Sequence, residues 1–76
     1  MNKKERGDLN IAKNHLREAY NIISSVLDDE NDSLMNMEDH FYNTERYAAI
    51  EDGIDDLDES LNNIEEAIDL VIRAKE

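Results

Sequence analysis

The sequence predicts an all-α protein, folded as a long antiparallel two-helix hairpin. Three observations point there. The 76 residues contain no proline and only two glycines, Gly7 and Gly53, which argues against a turn-rich β fold and for long helices. Apolar residues recur at alternating steps of three and four along both halves of the chain, the spacing of a helix with one apolar seam. The two periodic halves are similar in length, as the arms of a hairpin must be.

The first helix is expected over about Lys4–Asn36. Its seam reads Leu9, Ala12, Leu16, Ala19, Ile23 and Val26. Tyr20 and Leu27 widen it on one side and Ile22 on the other. An acidic patch follows, Asp28-Asp29-Glu30-Asn31-Asp32, and the apolar stripe returns at Leu34, Met37 and Phe41. One apolar turn is therefore missing. The helix either frays at the patch or runs on to about Asn36, and running on matches the length of the second helix. Residues 37–43 form the connection, and the spacing of Asn36 and Asp39 resembles a capping box that starts a short helical turn within it.

The second helix is expected over about Thr44–Ala74, with Thr44 or Asn43 as its N-cap. Its seam is unbroken: Tyr47, Ile50, Ile54, Leu57, Leu61, Ile64, Ile68 and Val71. Arg73 and Lys75 stand where the negative end of the helix dipole favours cations. Beside the seam runs a column of small residues seven apart, Gly53, Ser60, Ala67 and Ala74. A glycine inside a helix costs about 1 kcal/mol relative to alanine. Close approach of another helix would account for it, with a local kink as the alternative. Ile11, Ile22, Leu34, Leu70 and Ile72 lie off both seams and are read as a second contact face, for a dimer or for a client. One seam per helix gives a thin core, and without cysteine no disulfide can staple it. A homodimer closing into a four-helix bundle is the expected remedy.

Charge is the other prominent feature. Eight bases face 20 acids, a net charge of −12. Residues 1–27 sum to +2 and residues 28–76 to −14. Such a body repels bare nucleic acid and anionic membranes and is drawn to basic surfaces. No apolar run approaches a membrane span, and no apolar segment follows the basic N-terminus as in a signal peptide, so a cytoplasmic protein is expected. The acids concentrate on the second helix: Glu51, Asp52, Asp55, Asp56, Asp58, Glu59, Glu65, Glu66 and Asp69 stand between Arg46 and Arg73 with no base among them. Surface helices ordinarily alternate acid and base at i,i+4. Here four such pairs are acid on acid (51/55, 52/56, 55/59, 65/69), as are four i,i+3 pairs (52/55, 55/58, 56/59, 66/69). At about 0.2–0.5 kcal/mol each, the repulsion costs the helix roughly 2–4 kcal/mol. Neutralising Asp55, Asp56 and Glu59 together is expected to stabilise the fold. These nine acids are the candidate partner-binding residues.

Chemistry has little foothold. Paired carboxylates act as acid and base only in a desolvated cleft, which a two-helix hairpin does not supply, so no enzyme and no cofactor are expected. Asp28, Glu30, Asp32 and Asp39 fall at positions 1, 3, 5 and 12 of a calcium loop, but position 6, where the sharp turn requires glycine, is Ser33. His15 and His40 lie in no metal-binding motif and are read as surface residues. Tyr20 and Tyr47 are assigned to the seams, and Phe41-Tyr42 either anchor a partner or cover the hairpin end.

The runs Asp28-Asp29-Glu30-Asn31, Asn43-Thr44-Glu45-Arg46, Ile50-Glu51 and Ile54 through Asp69 resemble a family of small acidic helical proteins from phages, prophages and mobile elements of Firmicutes. The likeness covers about residues 28–69. The family pattern has proline in the connection, where Glu38 stands, and glycine after the Glu-Arg pair, where Tyr47 stands. The resemblance implies inhibitors or modulators of host or rival machinery, acting inside a bacterial cell, and carries over no functional residues. Two functions are thus set against each other: an inhibitor whose acid face occupies a basic, nucleic-acid-binding protein surface, and a structural or adaptor module that assembles through its apolar stripes while its charge only solubilises it.

Overall fold

The computed structural model describes residues 1–37 and 44–76, and these form two helices, α1 (Lys3–Met35) and α2 (Glu45–Lys75). They pack antiparallel as a hairpin. The rod measures 59 × 14 × 13 Å, and its radius of gyration is 17.4 Å, against about 11 Å for a compact domain of this length. No helix among the described residues is long and apolar enough to cross a membrane.

Both helices start on caps written in the sequence. Asn2 is the N-cap of α1: its side chain accepts from the Glu5 backbone N–H at 2.7 Å, and the Glu5 carboxylate accepts from the Asn2 N–H at 3.1 Å. This reciprocal pair satisfies two otherwise orphaned donors. Thr44 caps α2, its hydroxyl accepting from the Tyr47 N–H at 3.3 Å. Glu45 in the first turn and Arg73 and Lys75 in the last complement the dipole of α2. The end of α1 does the opposite. It has no base in its last turn, although Asp28, Asp29, Glu30 and Asp32 crowd toward it.

Even so, α1 does not fray at the acidic patch. It continues to Met35, and its end is closed by the Asn36 N–H donating to the Asp32 carbonyl at 3.0 Å and the Met37 N–H to the Leu34 carbonyl at 3.3 Å. The reason is the true seam, which differs from the sequence reading. The inward side of α1 is built on Leu9, Lys13, Leu16, Tyr20, Ile23, Leu27, Glu30 and Leu34, an unbroken alternation of four and three that Met37 extends beyond the helix, with Ala19 and Ser24 half-buried on either side. Ala12 and Val26, assigned to the seam from their apolarity, are exposed, while Lys13 and Glu30 are half-buried. Long charged side chains can lay their apolar stems along a seam and keep their heads in water. The missing apolar turn is thus occupied by Glu30, and Leu34 belongs to the seam rather than to a second face.

In α2 the eight expected seam residues all turn inward. The core is nevertheless one residue deep. Only Leu27 and Leu61 count as buried among the described residues, at 9% and 8% exposure, and no side chain is fully enclosed. Gly53 needs a different explanation from close packing within the hairpin, since a methyl group built on it meets nothing within 4 Å. The Asn36–Asp39 capping box, the Asn43 cap, His40 and the Phe41-Tyr42 pair lie wholly or partly outside the described residues.

Candidate functional site

Two tertiary hydrogen bonds fix which levels of the helices meet. Tyr20 donates its hydroxyl to Glu65 Oε1 at 3.0 Å, and Lys75 Nζ donates to Asn10 Oδ1 at 3.1 Å. Residue 20 therefore stands level with about residue 65, and residue 10 with about residue 75. Both bonds lie on one flank, where Arg17, Tyr20, Asn21, Glu65 and Ile68 also line a shallow depression of about 260 Å³. The opposite flank carries a longer groove of about 500 Å³, to which Val26 and Glu30 contribute from α1 and Ala49, Gly53 and Leu57 from α2.

All nine acids singled out on α2 are exposed. Helical geometry separates them into groups. Glu51, Asp55, Asp58, Glu65 and Asp69 border the Tyr20–Glu65 flank. Asp52, Glu59 and Glu66 point away from α1. These eight form one continuous negative surface. Asp56 departs from it and lines the groove on the other flank. Among the described residues no base pairs with this surface, and the one ion pair is Lys4–Asp8 within α1, at 2.9 Å and exposed.

The geometry perturbs two other groups. The Tyr20 hydroxyl is held above the ordinary tyrosine value, first by its hydrogen bond to Glu65 and then by the charge of that carboxylate. Lys13 is held below the ordinary lysine value, first by desolvation and then by the positive charges of Lys75 and Arg17. Sequence reasoning missed both. The Lys13 cluster involves a cation on a seam position, which the apolar pattern skips. Asp28, Glu30 and Asp32 sit within α1 rather than in a loop, so they fan around a helix instead of converging on an ion. Among the described residues no group of three His, Cys, Asp or Glu side chains is placed to hold a metal.

Charge is also sorted along the rod. The open end, residues 1–19 with 66–76, carries seven bases and six acids, whereas residues 20–65 carry one base, Arg46, and fourteen acids. The whole net charge sits in the half that leads to the connection.

Comparison with protein-family models, with curated proteins and with solved structures finds no match.

Proposed function

We propose that the protein is a non-enzymatic binding protein whose negative α2 surface occupies a basic, nucleic-acid-binding surface of a protein partner, as an inhibitor or modulator from a phage or mobile element. The observation that carries this reading is the spacing of exposed carboxylates that form no ion pair among the described residues. The eight acids of that surface, between Glu51 and Asp69, occupy about 27 Å of helix axis, one per about 3.4 Å. A DNA strand presents one phosphate per about 3.4 Å. A groove shaped to follow phosphates meets a similar charge density on a rigid helix. Repulsion within the surface costs stability, and a merely soluble helix avoids that by alternating acids with lysines.

The test is affinity capture from bacterial lysate with the tagged protein, followed by elution with duplex DNA. Capture of nucleic-acid-binding proteins that the duplex releases supports the reading. Captured proteins that resist the duplex, or no capture above a charge-neutral control, leave the carboxylates a solubilising role and favour the adaptor alternative.

A further inference from the structure

The base-bearing end of the rod holds a group of side chains that the acid surface does not use. Lys13 and Lys75 are half-buried on the two seams, at positions where an apolar residue would pack. Because residue 10 stands level with about residue 75, Lys13 lies less than one turn of helix axis from Lys75. Arg17 follows Lys13 at i+4, on the same face of α1. Asn10 precedes it by three residues and accepts from Lys75 Nζ at 3.1 Å, which anchors that ammonium group beside the α1 cations. The amide nitrogen of Asn10 is left to donate outward. None of the three cations forms an ion pair among the described residues. Glu65 accepts from Tyr20 instead, and Asp69 and Glu76 are exposed and out of ion-pair reach. We propose that Lys13, Arg17 and Lys75, with Asn10, form a binding site for a single phosphate group, carried by inorganic phosphate or by a small phosphate monoester.

Three considerations select that ligand. The first is the cost of the cluster. Gathered like charges repel, and a cation on a seam loses hydration; desolvation and the charges of Lys75 and Arg17 all weigh against the charged form of Lys13. The α2 dipole accounts for Lys75, but Lys13 and Arg17 stand inside α1, where no helix end favours a cation. An anion among the three turns that repulsion into attraction. The second is chemistry. A phosphate group carries about −1.5 to −2 charges near pH 7, enough to answer several cations at once, whereas a carboxylate carries one. The guanidinium fork of Arg17 matches two phosphate oxygens, and the ammonium groups act on the others as point charges. The third is what lies beyond. Past Arg17 the same flank turns acidic, with Glu65, Asp58 and Glu51, so a nucleic-acid strand laid along it is repelled after its first phosphate.

Titration of the full chain with inorganic phosphate tests the site, followed by NMR at an ionic strength held constant with sodium chloride. A saturable shift of the Lys13, Arg17 and Lys75 side-chain resonances at or below millimolar phosphate is expected. Lys13→Met keeps the apolar stem and Arg17 is exposed, so Lys13→Met and Arg17→Gln should both retain helicity by circular dichroism. Each should weaken phosphate binding by about ten-fold or more. No saturable shift, a shift spread evenly over all the bases, or variants that bind like the wild type overturn the proposal. Acetate that binds as tightly as phosphate overturns it too. Adenosine monophosphate separates the two sources: affinity equal to that of phosphate assigns the site to the phosphate group alone, and clearly tighter binding assigns it to a monoester whose remaining part also touches the flank. Melting gives a second readout. Phosphate strengthens apolar burial in any protein, so the expected result is a rise in melting temperature that is larger for the wild type than for Lys13→Met. An equal rise in both overturns the site. These variants leave the α2 carboxylates untouched, so loss of phosphate and loss of the protein partner are read separately.

Discussion

Neutralising Asp52, Asp55 and Glu59 together, as Asp52→Asn, Asp55→Asn and Glu59→Gln, should make the protein more stable. The structure refines the choice of residues: Asp56 lies on the other flank, whereas these three lie on the continuous negative surface. The triple change removes both members or one member of 51/55, 52/56, 55/59, 52/55, 55/58 and 56/59, six of the eight repulsive pairs on the helix. At about 0.2–0.5 kcal/mol per pair, the gain is about 1–3 kcal/mol. The side chains are exposed, so this applies at low ionic strength and shrinks as the Debye length falls to about 8 Å near 0.15 M salt. For a chain of this size, 1 kcal/mol moves the melting temperature by about 4–8 °C. Thermal circular dichroism at equal protein concentration, in about 10 mM and about 150 mM salt, gives the comparison. The variant should melt about 5–20 °C higher in low salt, and the gap should narrow in high salt. An unchanged or lower melting temperature in low salt would refute the claim that the wild-type surface is held at a cost.

Further predictions follow from the packing. Leu61→Asp places an unpaired charge at the most enclosed position of the seam and should unfold the chain, while Leu61→Ala should cost about 2–3 kcal/mol, the low end for a core leucine because the seam is one residue deep; a wild-type denaturation curve for either would sink the seam. Gly53→Ala and Gly7→Ala should each stabilise by about 1 kcal/mol, since neither added methyl meets an atom within 4 Å; urea titration showing destabilisation would mean that something unseen packs there. Tyr20 titrates above its ordinary value because the neutral hydroxyl donates to Glu65, so its contribution to stability is complete below about pH 10 and is lost as pH rises through the higher folded value. Lys13, held low, works in the opposite direction over the same region, so the comparison that isolates the tyrosine is wild type against Tyr20→Phe. The variant should lose less stability between about pH 9 and pH 12, and parallel curves would show that the hydrogen bond is not formed in solution.

Much of the fold was legible in the sequence, for a definite physical reason. The α2 seam alternates three and four without interruption, and each of its residues turns inward. The α1 seam was harder to read because two of its positions hold Lys13 and Glu30. An apolarity count takes Ala12 for Lys13 and Val26 for Leu27, each one position aside, and finds nothing at Glu30. That single-residue displacement has consequences: it makes the acidic patch look like a gap in the helix, and it hides the fact that Val26 belongs to an exposed flank. The Asn2–Glu5 capping box is legible in the same way, as an asparagine three residues before a glutamate at the head of the first helix. The nine acids were identified from their density alone. That eight of them form one surface while Asp56 lines the opposite groove follows only from the level at which α1 and α2 pair, which the Tyr20–Glu65 and Asn10–Lys75 hydrogen bonds set. No periodicity within one helix carries that information.

The central claim is that the α2 carboxylates are kept for a basic protein surface, and the salt dependence of binding tests it most directly. A protein captured through the tagged wild type would be purified and its affinity measured at about 50, 100 and 200 mM salt, for the wild type and for the Asp52→Asn, Asp55→Asn, Glu59→Gln variant. Charge-led binding predicts that wild-type affinity falls at least about ten-fold across that range. It also predicts that the variant, although more stable, binds at least ten-fold more weakly at 50 mM salt with a shallower dependence. Wild-type affinity that stays level with salt, or a triple variant that binds as tightly as the wild type, would contradict it.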